Sequence, residues 1–343
     1  MERFSRITDV HIHVQPWREL KPAVLDAMRR GKEADWDLLL QVMDDPAVLL
    51  ELMDRAGVWR AGLVNYPAPD VMGFSDAANA FAARYAEANR ERLLPYGGVH
   101  PRFTRDPAGD VDRLLELGIR VLKLHPPHQL FPANAYTGGL DALGTIYRRA
   151  EERGLPVMVH TGTSVFPGAR AKYGNPLELD DVAVDFPDLT LLMAHGGRPL
   201  YMEEAFFVLR RHKNVWLDLS GIPPAKLLQY FPRLSELADR ALWGTDWPGP
   251  GVRDMKLNIE QFATLPLSDA HRKAILETNA LAVLPPRWHR RRPGGRGGWA
   301  AGEAAALRPR RHSRDPGLVH LLPRSPGARL RRVAVRDPLA RPA

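Results

Sequence analysis

Short runs of apolar residues, many of them branched, recur along the chain, and each is followed by a polar loop and then an amphipathic segment. Apolar runs this short are typical of strands buried on both faces of a parallel sheet, and the amphipathic segments predict the helices that cover it. Eight runs show this arrangement. The predicted strands are residues 6–13, 61–66, 94–99, 119–125, 156–160, 189–195, 215–219 and 241–246.

The segments between these runs carry start and stop signals of helices. Asp44, Asp45 and Pro46 precede "AVLLELMDRAG", where they supply an acidic N-cap and a proline for the first turn, and Gly57 closes the segment. The other segments with an apolar face at helical spacing are "SDAANAFAARYAEANRERL", "DVDRLLELG", "LDALGTIYRRAEERG", "PLYMEEAFFVLRRHKN" and "AKLLQYFPRLSELADR". Pro232 must kink or split the last of these.

Eight strand and helix units in a chain of 343 residues predict an α/β protein with a (β/α)8 barrel, the TIM barrel, whose chemistry lies at the carboxyl ends of the strands. The connection at residues 18–45 is longer than a normal link between a strand and a helix. We expect it to form a lid or a subunit contact. A homodimer is the expected assembly, because twofold dimers are the commonest one.

The composition indicates a globular protein and limits which residues can bind a metal. With 45% apolar residues the chain can bury a large core, and no stretch reaches the ~18 uninterrupted apolar residues that a membrane span needs. The first residues lack the basic and then apolar layout of a secretion signal, so we expect a cytoplasmic protein without membrane contact. Because the chain has no cysteine, a bound metal must be held by His, Asp, Glu or a modified Lys.

The positive charge of the chain lies at its end. Residues 285–343 hold 15 Arg, no Lys and three acids, a net charge of +12, which leaves −4 for residues 1–284 out of the overall +8. This tail shows no strand or helix period, which predicts a largely disordered, abnormal extension after a barrel domain at residues 1–284. Trp288 and Trp299 are its only aromatic residues, which argues against stacking on bases and hence against nucleic-acid binding.

Polar residues end five of the predicted strands, where a purely structural explanation would require another apolar residue or a turn former. A lone histidine at a strand end is explained as readily by a structural hydrogen bond, but five strand ends that converge on one ring are not. Neutral imidazoles with one carboxylate are ligands of Zn²⁺ or a similar divalent ion such as Mn²⁺. The ring comprises His11, His13, Lys123, His125, His160, His195 and Asp246.

Five motifs carry these residues in order, namely "DVHIH", "KLHPP", "PVMVHTGT", "MAHGG" and "GTDWP". Over about residues 5–284 the chain resembles the metal-dependent amidohydrolase superfamily, in particular the amidohydrolase-related branch that contains aminocarboxymuconate semialdehyde decarboxylase. The resemblance implies that a metal ion is bound by His11, His13, His160 and Asp246. It also implies that His195 acts as a general acid or base, or activates the water beside the metal.

Lys123 has two interpretations. In two-metal relatives a carboxylated lysine on strand four bridges the ions, and the resemblance allows that role here. An unmodified lysine would instead bind a substrate carboxylate as a point charge. We favour one metal ion, which is the commoner form in this branch. His125 is expected to contact the substrate or to support a ligand.

A metal ion at this ring would lower the pKa of water towards ~7 and polarise a substrate oxygen. This predicts an enzyme that hydrolyses a small carbonyl compound such as a lactone, ester or amide, in which Asp246 takes up or steers the proton of the attacking water and His195 assists. The alternative is a non-oxidative decarboxylase, a carboxy-lyase of a small aromatic or muconate-like acid, which uses the same metal site. A metal-holding protein without catalysis is a third class, and the intact ligand set argues against it.

The decarboxylase reaction requires cations for the carboxylate that the substrate retains. Four loop cations follow strands three, five and six, namely Arg102, Arg170, Lys172 and Arg198. We expect Arg170 to bind the small-molecule substrate, because its loop follows His160.

Deletion of residues 286–343 is expected to leave folding and activity unchanged, because the predicted barrel ends before them. Thermal unfolding and turnover of the truncated chain, measured beside those of the full-length chain, test this. A loss of either property on truncation would assign the tail to the folded enzyme.

Overall fold

The computed structural model describes residues 4–32, 35–249, 251–252 and 254–284. Within these ranges the chain forms one sheet of eight parallel strands, in which each strand pairs with the next along the sequence. All eight predicted strands are present. They are β1 (Ile7–Ile12), β2 (Val58–Leu63), β3 (Leu93–Gly97), β4 (Val121–Leu124), β5 (Val157–His160), β6 (Leu191–Ala194), β7 (Val215–Asp218) and β8 (Ala241–Leu242).

The segment after β8 returns to β1 and nearly closes the sheet into a barrel. Asp246 N donates to His11 O at 2.8 Å, and His13 N donates to Trp247 O at 2.7 Å. Helices cover the outside of the sheet, and apolar side chains from the strands fill the core. The fold is therefore the TIM barrel that the pattern of apolar runs predicts.

The bounds of all eight strands differ from the prediction, by one or two residues in six strands and by three or more in β2 and β8. β2 begins at Val58 rather than at residue 61, and β8 ends at Leu242, whereas the pattern predicts a strand as far as Asp246. Beyond Leu242 the backbone leaves strand geometry. A Cβ on Gly244 would lie 2.6 Å from Asp218 Oδ1, and Asp246 has a φ of 69°, in the left-handed region. The chain therefore turns at the point where its polar residues enter the barrel mouth.

Helices alternate with the strands. Within the described ranges the α-helices are α1 (Pro22–Arg29), α2 (Trp36–Asp44), α3 (Pro46–Ala56), α4 (Ala77–Ala86), α5 (Pro107–Leu117), α6 (Pro126–Gln129), α7 (Asp141–Arg153), α8 (Glu178–Asp185), α9 (Met202–Arg211), α10 (Leu227–Tyr230), α11 (Met255–Ala263), α12 (Asp269–Lys273) and α13 (Asn279–Val283). The predicted caps of α3 are confirmed, since Asp45 accepts a hydrogen bond from Ala47 N and Gly57 ends the helix with a φ of 74°. Pro232 splits the last predicted helix, so that only the short α10 forms before it.

The long connection between β1 and β2 lies over the barrel mouth. Trp17, Leu20 and Met28 of this connection are buried and line the cavity at the carboxyl ends of the strands. Lys32 Nζ donates to the carbonyl of Pro248 in the loop after β8, which attaches the connection to the neighbouring part of the barrel rim. This position fits the predicted lid, and the predicted subunit contact stays a prediction.

The predicted tail, residues 285–343, lies outside the described residues. None of the helices in the described ranges combines the length and the apolar character that a membrane crossing requires.

Candidate active site

A cavity of about 220 Å³ opens at the carboxyl ends of the strands. The residues of the predicted polar ring all line it, namely His11, His13, Lys123, His125, His160, His195 and Asp246. Apolar side chains from the cover and the neighbouring loops complete the wall, among them Trp17, Leu20, Met28, Met72 and Phe166. A few convergent polar groups inside an otherwise apolar cavity are typical of a small-molecule site.

His11, His13 and Asp246 form the closest group of potential metal ligands. Asp246 Oδ1 lies 3.0 Å from His13 Nε2 and 3.5 Å from His11 Nε2. One ligand atom from each residue lies within 4.8 Å of the other two. The structure thus brings together three of the four predicted ligands, from the end of β1 and from the segment after β8.

Asp218, at the end of β7, determines where His11 carries its proton. Asp218 Oδ2 lies 2.6 Å from His11 Nδ1, and a carboxylate can only accept, so the proton is on Nδ1. Nε2 therefore turns its lone pair into the cavity, where it is buried without a hydrogen-bond partner among the described residues. Such a nitrogen fits a metal ion, and a carboxylate behind the ring is the usual support of a metal-binding histidine.

His13 is oriented in a similar way. Its Nδ1 lies 3.3 Å from Val64 O, a carbonyl that can only accept, so Nε2 faces Asp246. Burial raises the pKa of Asp246, but its contacts with His13 and His11 outweigh burial and hold the pKa below its ordinary value. The carboxyl is therefore ionised at neutral pH. Two imidazole nitrogens beside an ionised carboxylate fit a divalent cation.

Asp9 joins the two ligand-bearing segments. Its carboxylate accepts hydrogen bonds from Thr245 N at 3.0 Å, from Thr245 Oγ1 at 2.6 Å and from His11 N at 3.1 Å. Burial raises the pKa of Asp9 to about 7, although these hydrogen bonds oppose the shift. The three contacts hold the backbone of Thr245 against β1 and so place Asp246 beside His11.

His160 and Lys123 lie in the same cavity but outside the closest ligand group. His160 Nε2 is buried without a hydrogen-bond partner among the described residues, and its ring centroid lies 4.7 Å from that of His195. Lys123 is fully buried, and its Nζ likewise has no partner there. Burial lowers the pKa of Lys123 to about 8, although Asp218 opposes the shift. Ligation by His160 and carboxylation of Lys123 stay predictions.

His195 follows β6 with a φ of 67°, in the left-handed region. Its Nδ1 lies 2.9 Å from the carbonyl of Ser220 and therefore carries the proton, so Nε2 keeps a lone pair. Burial lowers the pKa of His195 well below its ordinary value, and the charge of Arg198 adds to the shift. The imidazole is neutral at neutral pH and able to accept a proton. Its predicted role as acid or base stays a prediction.

The cation that reaches the cavity is Arg198 rather than the preferred Arg170. Arg170 is exposed and is not part of the cavity wall, and its backbone N–H donates to Pro127 O. Arg198 lines the cavity, its Nη2 lies 3.4 Å from Asp246 Oδ2, and its Nε is buried without a hydrogen-bond partner within the described chain. Both residues are among the loop cations that the sequence indicates, and only the loop paths distinguish them.

Four residues of the site are not among those predicted from the sequence. Asp218 ends β7 in "VWLD" in the way that the ring residues end their strands, and this pattern could have identified it. His128 lies in α6, just beyond the "KLHPP" motif, and Tyr66 follows β2. Ser164 lies in the loop after His160 and contacts His128. Tyr66, His128 and Ser164 lie in loops and in a short helix, where no period indicates the direction of a side chain.

Comparison with known proteins gives a family match over most of the barrel. A family model described as amidohydrolase matches residues 8–285. The chain is also similar to a 2-pyrone-4,6-dicarboxylate hydrolase from Comamonas testosteroni, with 32% identity over 123 aligned residues. That alignment covers 25% of this chain and about two fifths (40%) of the relative's length.

Solved structures share the fold. A TIM-barrel protein from Bordetella bronchiseptica is 24% identical with a TM-score of 0.63, covering 81% of this chain and 98% of its own. A 5-carboxyvanillate decarboxylase from Sphingomonas paucimobilis is 19% identical with a TM-score of 0.55, covering 82% and 99%. A probable 2-pyrone-4,6-dicarboxylic acid hydrolase from Acinetobacter baumannii is 14% identical with a TM-score of 0.57, covering 81% and 98%. At these identities the likeness concerns the fold alone.

Replacement of Asp218 by Asn is expected to weaken zinc binding by about 10–100-fold, because the ring of His11 loses the charge that raises its basicity and fixes its orientation. Zinc titration against a competing chelator measures the effect. Asp180→Asn is the matched control, since Asp180 Oδ1 also lies 2.6 Å from a histidine nitrogen, that of His212, outside the cavity. Equal zinc affinity of the two variants would contradict the supporting role of Asp218.

Proposed function

Since the chain belongs to the amidohydrolase family, we propose that it is a metal-dependent hydrolase that opens a small lactone, ester or amide bearing a carboxylate. The observation that carries the proposal is the convergence of His11 Nε2, His13 Nε2 and Asp246 Oδ1 at the barrel mouth. The partial identity with a 2-pyrone-4,6-dicarboxylate hydrolase supports hydrolysis of a cyclic ester.

The donor set favours Zn²⁺, with Mn²⁺ as the alternative, held by His11, His13, Asp246 and, as the fourth ligand, His160. When bound, a divalent ion supplies a Lewis acid that makes water nucleophilic at neutral pH and polarises a carbonyl oxygen. The orphaned lone pair of His11 Nε2 and the ionised carboxyl of Asp246 are the features of this chain that fit such an ion.

Asp246 and His195 are the residues that move protons in this proposal. Asp246 takes up or steers the proton of the attacking water, because its carboxyl is ionised and lies at the reacting end of the cavity. His195 is neutral with a free lone pair on Nε2, and its ring lies 4.8 Å from that of His11. It can therefore accept a proton and return it to the leaving group, which is worth ~10²–10⁴-fold in rate.

Lys123 and Arg198 hold the substrate carboxylate. Both line the cavity, and the buried nitrogens Lys123 Nζ and Arg198 Nε have no hydrogen-bond partner among the described residues. Buried donors without partners cost free energy, and an anionic ligand removes that cost. The apolar side chains of the cover, Trp17 and Met28, exclude water from the bound molecule.

A decarboxylase remains the second candidate for one reason. The same pair of cations would equally hold the carboxylate that an aromatic acid retains while another is lost as CO₂. The two reactions share the ligands and differ in product, so only the released molecule distinguishes them.

Metal analysis with a substrate panel tests the proposed function. We expect about one zinc per chain, acid release from lactones that include 2-pyrone-4,6-dicarboxylate, and no CO₂ release from 5-carboxyvanillate or 2,6-dihydroxybenzoate. CO₂ without hydrolysis would replace the proposal by the decarboxylase. Pure protein that neither contains nor takes up a divalent ion would exclude both.

Replacement of His195 by Asn is expected to leave the zinc content unchanged and to lower kcat by about 10²–10⁴-fold, because the proton acceptor is lost while the ligand group is retained. Turnover and metal content are measured on the same sample. His212→Asn, outside the cavity, is the control. Unchanged turnover, or loss of the metal together with turnover, would contradict the proposed role.

A further inference from the structure

Three cavity residues that the proposed reaction does not use form a chain of hydrogen bonds. Tyr66 Oη lies 2.9 Å from His128 Nδ1, and His128 Nε2 lies 2.7 Å from Ser164 Oγ. All three residues line the cavity. The ring of His128 stacks on that of His125 with centroids 3.5 Å apart and an angle of 8°, which holds the imidazole in place.

The burial of Tyr66 determines which atoms donate and which accept in these two hydrogen bonds. Tyr66 is 3% exposed, and His128 is the one hydrogen-bond partner that its hydroxyl has within the described residues. A buried phenol that did not donate would leave its hydrogen without an acceptor, so Tyr66 donates to Nδ1. The proton of the neutral imidazole of His128 is therefore on Nε2, and Nε2–H donates to Ser164 Oγ.

The Ser164 hydroxyl consequently acts as a hydrogen-bond donor. Its oxygen accepts from His128 Nε2 and, more weakly, from Phe166 N at 3.4 Å, which occupies both lone pairs. The hydroxyl hydrogen is the remaining hydrogen-bonding group of the side chain. Because Ser164 lies in the cavity wall, this hydrogen is available to an acceptor atom of a bound molecule.

His128 and Ser164 lie across the barrel mouth from Asp246. His128 follows β4 and Ser164 follows β5, whereas Asp246 follows β8. In a ring of eight strands in sequence order, β4 lies opposite β8. A molecule whose reacting carbonyl is beside Asp246 therefore extends its far end towards Ser164.

We propose that Tyr66 and His128 orient the Ser164 hydroxyl as a fixed donor, which selects substrates with a second carboxylate at the end away from Asp246. The proposal rests on the proposed function for the identity of the reacting end. Ser164 is the group that binds the substrate, and Tyr66 and His128 are positioning residues. A hydroxyl donor held in one orientation favours a substrate with a carboxylate oxygen at that position over a substrate with a hydrogen atom there.

The first test is the tautomer of His128, which needs no substrate. Nitrogen NMR of the full-length, ¹⁵N-histidine-labelled protein, with the signal assigned by its loss in His128→Gln, is expected to show the proton on Nε2. A proton on Nδ1 would reverse the chain of hydrogen bonds and overturn the proposal, whatever the protein hydrolyses.

The second test is the binding of two inert anions to the zinc-loaded, full-length protein, measured by calorimetry. Isophthalate, with two carboxylates, is expected to bind at least about tenfold more tightly than benzoate, with one. Ser164→Ala should weaken isophthalate binding about tenfold and leave benzoate binding unchanged, whereas Ser164→Thr, which keeps the hydroxyl, should retain the preference. Ser75→Ala, the same substitution at an exposed serine outside the cavity wall, is the matched control.

Tyr66→Phe should weaken isophthalate binding in the wild-type background and have no further effect in Ser164→Ala, because it acts through the serine. Equal affinities for the two anions, or isophthalate binding that Ser164→Ala does not change, would overturn the proposal. These measurements involve no turnover. A protein that passes them and hydrolyses no member of the panel therefore contradicts the proposed function alone.

Discussion

Closure of the barrel between β1 and the segment after β8 is the constraint on which the site depends. The hydrogen bond from Asp246 N to His11 O and the carboxylate of Asp9 between Thr245 and His11 hold the two ends of the barrel together. They bring His13 and Asp246, which are 233 positions apart in the sequence, to within 3.0 Å. The turn that makes this contact has a residue in the left-handed region, and the surrounding hydrogen bonds offset its strain.

A second feature of the site is a pair of buried ionisable groups, Asp218 and Lys123. Burial raises the pKa of Asp218 to about 6 and lowers that of Lys123 to about 8, and in each case the environment disfavours the charged form. Apolar residues of similar size would fill the same space at a lower cost in free energy, because they need no desolvation of a charge. Asp218 is paired with His11, whereas Lys123 lines the cavity and its Nζ has no hydrogen-bond partner among the described residues. The presence of this buried lysine is therefore explained by a ligand that pairs with it, and agrees with the rule that local conflicts mark functional sites.

The cavity is polar on two opposite sides for different reasons. On the side of β1 and β8, lone pairs of histidine and an ionised carboxylate converge, which is an arrangement for a cation. In the loops after β4 and β5, hydrogen bonds from Tyr66 through His128 leave the Ser164 hydroxyl as a donor, which is an arrangement for an anion. Lys123 and Arg198 add two cations to the cavity wall. A small anionic carbonyl compound is complementary to this distribution.

The sequence by itself determined the eight strands, the helices between them and the identity of most of the polar ring, because periodicity reports burial and a polar residue at the end of an apolar run has few structural explanations. Only the tertiary structure decided which of these residues touch. Arg170 and Arg198 follow strands in the same way, and the path of each loop alone sends Arg198 into the cavity. Asp218 and His128 act through their contacts with other side chains, and such contacts join positions whose separation in the sequence follows no period.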